Sequence, residues 1–359
     1  MKRIFLIFGL ALAFFALPIT ASAEGSDILA DFEEIIPPDV DIDISDGEVG
    51  ILGIDEIFEE VISLALGKRG EIITFFFMVF GISIILSVQS STMKSAVGDI
   101  GSTTSRGVLI LASVSIFSAL FGVCSSLKTG LLSLVDFFGA LIPVVSAVNV
   151  ASGASASAAV QGANMNITLA FIERFSVDAL LPVALAVFSL SFIGSVGQSD
   201  AVLSLGRGVK NFFTWGVGII STTLAAVISI QSVVASASDS AALRAARYAA
   251  SGTIPVVGST VASALATLGG GMAVIKGTVG GISVAVILVM TLSPLIVLLA
   301  YRLSLSLCVC LLEFSGSSGG VRCFSAIRGA LDALIAVYSM SVLVAIVELI
   351  VFIKGGAVP

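Results

Sequence analysis

The sequence predicts an all-α, polytopic membrane protein of about seven transmembrane helices, with six to ten allowed, and three observations carry that prediction. Apolar residues fill 57% of the 359 positions and charged residues only 11%, under half of the roughly 25% charged share typical of soluble domains. Several uncharged runs reach the ~20 residues that an α-helix needs to cross a hydrocarbon core. Other apolar segments are interrupted by proline or by Gly, Ser and Ala, as in broken or re-entrant membrane helices.

Residues 1–23 have the layout of a signal peptide. Lys2 and Arg3 form a basic start, Ile4 to Leu17 an apolar core and Pro18 a helix breaker, and Ala21-Ser22-Ala23 is an A-x-A site with cleavage after Ala23. An uncleaved anchor is the alternative, but the apolar core is short for a span. Residues 24–70 form an acidic extracytoplasmic segment. Fourteen of the 24 acidic residues lie between Glu24 and Glu60, where no Lys or Arg occurs. Within it, Pro37-Pro38 and the Asp39–Asp43 run favour a solvated linker. Ile57, Phe58, Val61 and Ile62 oppose Asp55, Glu56, Glu59 and Glu60 on an amphipathic helix near 55–66. That helix fits a membrane surface, a partner, or a lead-in to the first span.

The polytopic domain covers residues 71–354. Spans are expected near 72–89, 107–127, 130–150, 178–197, 212–234, 280–300 and 329–352. Weaker segments lie at 151–172, 254–275 and 303–312. Lys94 and Arg106 place the 90–106 loop in the cytoplasm by the positive-inside bias. Ile142-Pro143-Val144-Val145 recurs as Ile254-Pro255-Val256-Val257 at an offset of 112, which suggests a weak repeat of 139–187 in 251–299. Paired interrupted segments of this kind build midplane sites in transporters; kinked helices with small packing faces are the other reading.

Asp136 sits inside an apolar run, where a carboxylate costs about 2.5–3.5 kcal/mol and normally faces a cavity or partner. A position close enough to the interface for water to reach it is the alternative. Asp332 follows Arg328 by four residues and is expected to pair with it. Glu348 reads as interfacial beside Lys354, and Glu173, Arg174 and Asp178 as a loop or helix end. Residues 238–248 read as a short helix, with Ser238 or Asp239 as N-cap and Arg244 and Arg247 on one face. Those two arginines suit an acidic partner or anionic headgroups.

Catalysis is not expected. The chain has no histidine and no G-x-x-x-x-G-K-[ST], so Ser-His and Cys-His pairs and a P-loop ATPase are excluded. Cys124, Cys308, Cys310 and Cys323 lack zinc-site spacing and read as packing residues, and no metal or cofactor is expected. The low overall cation content argues against nucleic acid as a partner.

A set of residues then carries a family resemblance. It comprises Val135-Asp136-Phe137-Phe138 with Ala140-Leu141-Ile142-Pro143, the stretch Ala241-Ala242-Leu243-Arg244-Ala245-Ala246-Arg247-Tyr248, and Ser251. Ile254-Pro255-Val256-Val257-Gly258, Lys276, Gly280-Gly281, Pro294 and Tyr301-Arg302 complete it. With the signal and the acidic segment, the chain resembles the stage III sporulation protein AE family of endospore-forming bacteria over nearly its whole length. One departure is that Ala262-Ser263-Ala264 lacks the carboxylate often found soon after the proline motif in that family.

The resemblance implies a multi-pass subunit in the mother-cell (outer forespore) membrane. It would belong to a channel complex between mother cell and forespore that sustains late forespore gene expression and development. Implied partners are the other stage III A-operon proteins, an ATPase and ring-forming subunits, and indirectly the forespore-side channel protein. Asp136, Pro143, Arg244, Arg247, Pro255, Gly258, Lys276 and Pro294 are the candidate pore or assembly residues. Two other functions remain open: a stand-alone secondary transporter, and a non-conducting scaffold that recruits the complex.

Overall fold

The computed structural model describes residues 62–63, 66–93, 99–197, 199–253 and 258–354. The signal peptide with Ala23, most of the 55–66 segment and Pro255 lie outside the described residues. Seven α-helices are present among those described: α1 (Arg69–Met93), α2 (Asp99–Ala151), α3 (Ser155–Phe171), α4 (Leu180–Val196), α5 (Asp200–Thr253), α6 (Gly258–Ser315) and α7 (Ser318–Lys354). A π-helical segment, Ile172–Val177, joins α3 to α4, and no strand occurs among the described residues.

Five helices are long and apolar enough to cross a membrane: Arg69–Ser90, Gly107–Ala151, Asp200–Ala245, Ile275–Ser315 and Ser318–Ile353. A shorter apolar stretch, Leu185–Gly194, lies in α4. The boundaries differ from those expected. The runs 107–127 and 130–150 are one helix, because a lone exposed Lys128 and Thr129, whose Oγ1 donates to the Ser125 carbonyl at 3.2 Å, do not break a backbone ladder. Likewise 254–275, 280–300 and 303–312 fall along α6 from Gly258 onward, and residues 238–248 are interior turns of α5 rather than a helix of their own. The turns after α2 and α6 sit at Gly153 (φ 75°) and Gly316 (φ 73°), which adopt the left-handed conformation. Pro143 and Pro294 lie within α2 and α6 without ending them. At 53 residues, α2 is about 80 Å long, well beyond a hydrocarbon core of about 30 Å.

The contacts fix the register. α6 and α7 run antiparallel, with Arg302 paired to Asp332 and Gly320 against Leu312. α1 runs parallel to α6, with the Phe75 and Tyr301 rings stacked at 3.8 Å and Ser90 Oγ 3.3 Å from the Ser315 carbonyl. α2 runs parallel to α7, with Ser113 beside Cys323 and Gly130 beside Tyr338. The α3–π–α4 rod lies antiparallel to α5 along its length: Asp239 meets the head of α3, and Leu203 presses on Gly194 near the end of α4.

α6 and α7 form the centre, each about two-thirds buried in its span, whereas α1 and α5 are mostly uncovered. Tyr338, Phe137, Phe138 and Phe324 fill the interior. Phe212, Trp215, Ile230, Val233 and Val234 on α5 are exposed, an arrangement suited to lipid rather than water. Cys124, Cys308 and Cys323 are buried as packing residues, and Cys310 is exposed. Residues 139–187 fold as helix, turn, helix, π-segment and the start of α4, whereas 258–299 lies in one continuous helix.

Candidate functional site

Polar groups gather where the head of α3 meets its neighbours. The turn after α2 leaves α3 with Ala154 at its N-cap and no side-chain cap from its own strand of sequence. α5 supplies one instead. The Ala156 and Ser157 amides donate to Asp239 Oδ1 and Oδ2 at 3.0 and 2.7 Å. A carboxylate at a helix N-terminus satisfies orphan amides and the positive end of the helix dipole together. Asp239 is buried and acts electrostatically on Lys276 of α6, which is only 1% exposed. At the same level Asn149 Nδ2 of α2 donates to Gln161 Oε1 of α3 at 2.5 Å. Polar side chains thus tie α2 and α5 to the head of α3, with Lys276 of α6 within electrostatic reach.

A buried polar stripe continues down α3. Ser157, Gln161, Asn164 and Thr168 follow one another by four, three and four residues, the spacing of a single helix face. All four are almost fully buried. Ser157 Oγ, Gln161 Nε2, both amide atoms of Asn164, Thr168 Oγ1 and Asn149 Oδ1 have no hydrogen-bond partner among the described residues. Below the stripe, Ser176 in the π-segment bonds Ser341 of α7 at 2.5 Å. π-Helical turns recur at functional sites. The segment 151–172 had stood out only for its small residues; the stripe was visible in the 157/161/164/168 spacing.

Of the residues expected to form a pore or assembly site, the structure brings Lys276 into this interior. Asp136 is exposed on the outer face of α2, while Phe137 and Phe138 beside it turn inward. Pro143 and Arg244 are also exposed, Pro294 packs near Gly130, and Gly258 opens α6. Arg247 lies on α5, with its side chain outside the described set.

Three local expectations are corrected. Asp239 caps α3 across the bundle rather than starting its own helix, because α5 runs through that position. Asp332 pairs with Arg302 of α6, and Arg328 Nη1 instead reaches Ser306 Oγ at 3.5 Å. The antiparallel α6/α7 packing brings Arg302 closer than the neighbour one turn away. Glu348 is fully buried rather than interfacial. Arg174 and Asp178 do mark a helix end, as an exposed pair at 3.4 Å.

The Arg302–Asp332 pair lines a groove of about 1280 Å³ between α5, α6 and α7, along with Trp215, Leu295, Leu299 and Ala336. A smaller cavity of about 540 Å³ lies between α1, α2 and α6, beside Phe75, Leu127, Pro294 and Tyr301. Replacing Arg302 by Leu should strand the half-buried Asp332 carboxylate and lower the thermal midpoint of the detergent-solubilised protein. The exchange Arg302→Asp with Asp332→Arg should recover much of that loss, which a double-mutant cycle measures.

These features define a polytopic helical membrane protein whose interior, unlike its lipid-facing rim, is seamed with amide, hydroxyl and charged side chains. A family model described as stage III sporulation protein AE matches residues 42–356. The chain belongs to the stage III sporulation protein AE family, and its role is sporulation-related. A curated relative, the stage III sporulation protein AE of Bacillus subtilis (strain 168), is 23% identical over 277 residues, covering 76% of this chain and 68% of that protein. No solved structure matches the fold.

Proposed function

We propose that the protein is a membrane subunit of a channel or secretion-like complex between mother cell and forespore, seated in the outer forespore membrane and required for late forespore development. The observation that carries the reading is the buried polar stripe of α3. A bundle serving only as an anchor gains nothing from unsatisfied amides in its interior, since each costs about 1–3 kcal/mol. Intramembrane polar groups that persist in this way mark paths for solutes or ions. The chain performs no chemistry of its own; energy would come from an ATPase partner, with ring-forming subunits beside it. Reconstitution in liposomes with and without these partners tests the reading. Solute flux through the complete assembly is expected, and none from the assembly would overturn it.

Exposed Arg244 favours a scaffold role as a second reading, because a cation on the outer surface of α5 is placed to meet an acidic partner. Reversing Arg244 and Arg247 to Glu should then abolish co-purification with partners while leaving membrane insertion intact. Unchanged co-purification would remove this reading.

A further inference from the structure

Glu348 lies on α7 with no exposed surface, and neither carboxylate oxygen has a hydrogen-bond partner among the described residues. The ion pairs found among those residues join Arg174 to Asp178, Arg302 to Asp332 and Arg322 to Asp200, and none includes Glu348. A bare carboxylate in such surroundings is too costly to persist, so either a proton neutralises it or a cation balances its charge.

The register shows which groups share its level. α5 runs parallel to α7, since Asp200 pairs with Arg322 at 3.6 Å and Lys210 lies at Gly329. α3 is antiparallel to α5 and therefore to α7, on which it packs. The Ser176–Ser341 bond sets the starting point. Glu348 is seven residues beyond Ser341, two turns along the same face and about 10 Å away. Moving back along the rod by a similar distance from Ser176 reaches Thr168, with Asn164 one turn further. Thr168 Oγ1 and Asn164 Oδ1 are buried and lack partners, like the Glu348 oxygens. At this level α6 offers Val284 and Val286, with the Ser283 hydroxyl donating to the Val279 carbonyl, and α5 offers Ile228, with the Ser229 hydroxyl donating to the Ala225 carbonyl. Lys276 and Asp239 lie further along, at the head of α3.

We propose that Glu348, Thr168 and Asn164 form an intramembrane binding site for one monovalent alkali cation. All the donors are hard oxygens, the chemistry that such ions require. A single carboxylate balances a single positive charge, which a divalent ion would exceed. The site stands on the polar interior and does not depend on flux through an assembly.

Equilibrium binding of radioactive sodium to the purified full-length protein in nanodiscs, with potassium as competitor, tests the proposal. One saturable site per chain is expected at neutral and mildly alkaline pH. Binding should be lost in Glu348→Gln and weakened in Asn164→Leu/Thr168→Val, with size-exclusion profile and helicity unchanged. Should Glu348→Gln fail to fold, the wild-type isotherm and the double variant still decide the matter. The absence of saturable binding by the wild type, with Glu348 held neutral by a proton, would overturn the proposal, as would undiminished binding by a folded Glu348→Gln.

Discussion

Replacing Asp239 by alanine is expected to lower the thermal midpoint of the protein. The change removes the acceptors of the Ala156 and Ser157 amides, a loss of about 0.5–2 kcal/mol for a helix cap. It also withdraws a negative charge that acts electrostatically on the buried Lys276 of α6. Asp239→Asn retains an acceptor for the cap but not the charge, and should fall between the two proteins. Thermal unfolding of the detergent-solubilised variants, read from near-ultraviolet absorbance or fluorescence, gives the order wild type, Asn, Ala. An alanine variant that melts with the wild type would show that the head of α3 is held by other means.

The second large effect is expected at Gly194. A Cβ there would lie 2.8 Å from Leu203 Cγ and 3.0 Å from the Leu203 backbone nitrogen. A side-chain tip can swing aside, but a backbone atom moves only with its helix, so Gly194→Val must part α4 from α5. Overpacking of this kind costs about 1–3 kcal/mol, and here it also opens the hairpin that positions the α3–π–α4 rod. Increased proteolysis at the 197–199 turn and a lower thermal midpoint are the expected signs. Gly122→Ala is the matched control: its Cβ would meet nothing within 4 Å, and replacing a mid-helix glycine should leave stability equal or higher.

Much of the fold was legible because hydropathy in a membrane chain reports its solvent directly. The apolar runs among the described residues became helix, and the alternation of exposed Asp136 with buried Phe137 and Phe138 follows from helical geometry. The breaks were less legible. The expected break between 127 and 130 falls at Lys128, but a helix tolerates an exposed lysine, and the turns after α2 and α6 rest on the left-handed backbone of Gly153 and Gly316.

Partnerships across the bundle were the part that sequence could not give. Local spacing assigned Asp332 to Arg328 and Asp239 to its own helix, because only neighbours along the chain are visible there. Packing offered better partners, Arg302 and the amides of α3. Glu348 was misplaced for the same reason. Its nearness to the end of α7 suggested an interface, but α2, α3, α5 and α6 extend past that level and enclose it. The stripe of α3, by contrast, was written in its spacing, obscured only by the small residues around it.

The central claim is that the unsatisfied polar stripe of α3 serves function rather than folding. The most direct measurement pairs the thermal midpoint of Asn164→Leu/Thr168→Val with the yield of heat-resistant spores from cells carrying it in place of the wild type. Replacing buried, unpaired polar atoms by apolar groups of similar shape should hold or raise the midpoint, while spore yield collapses. Normal spore yield from a variant at least as stable as the wild type would contradict the claim.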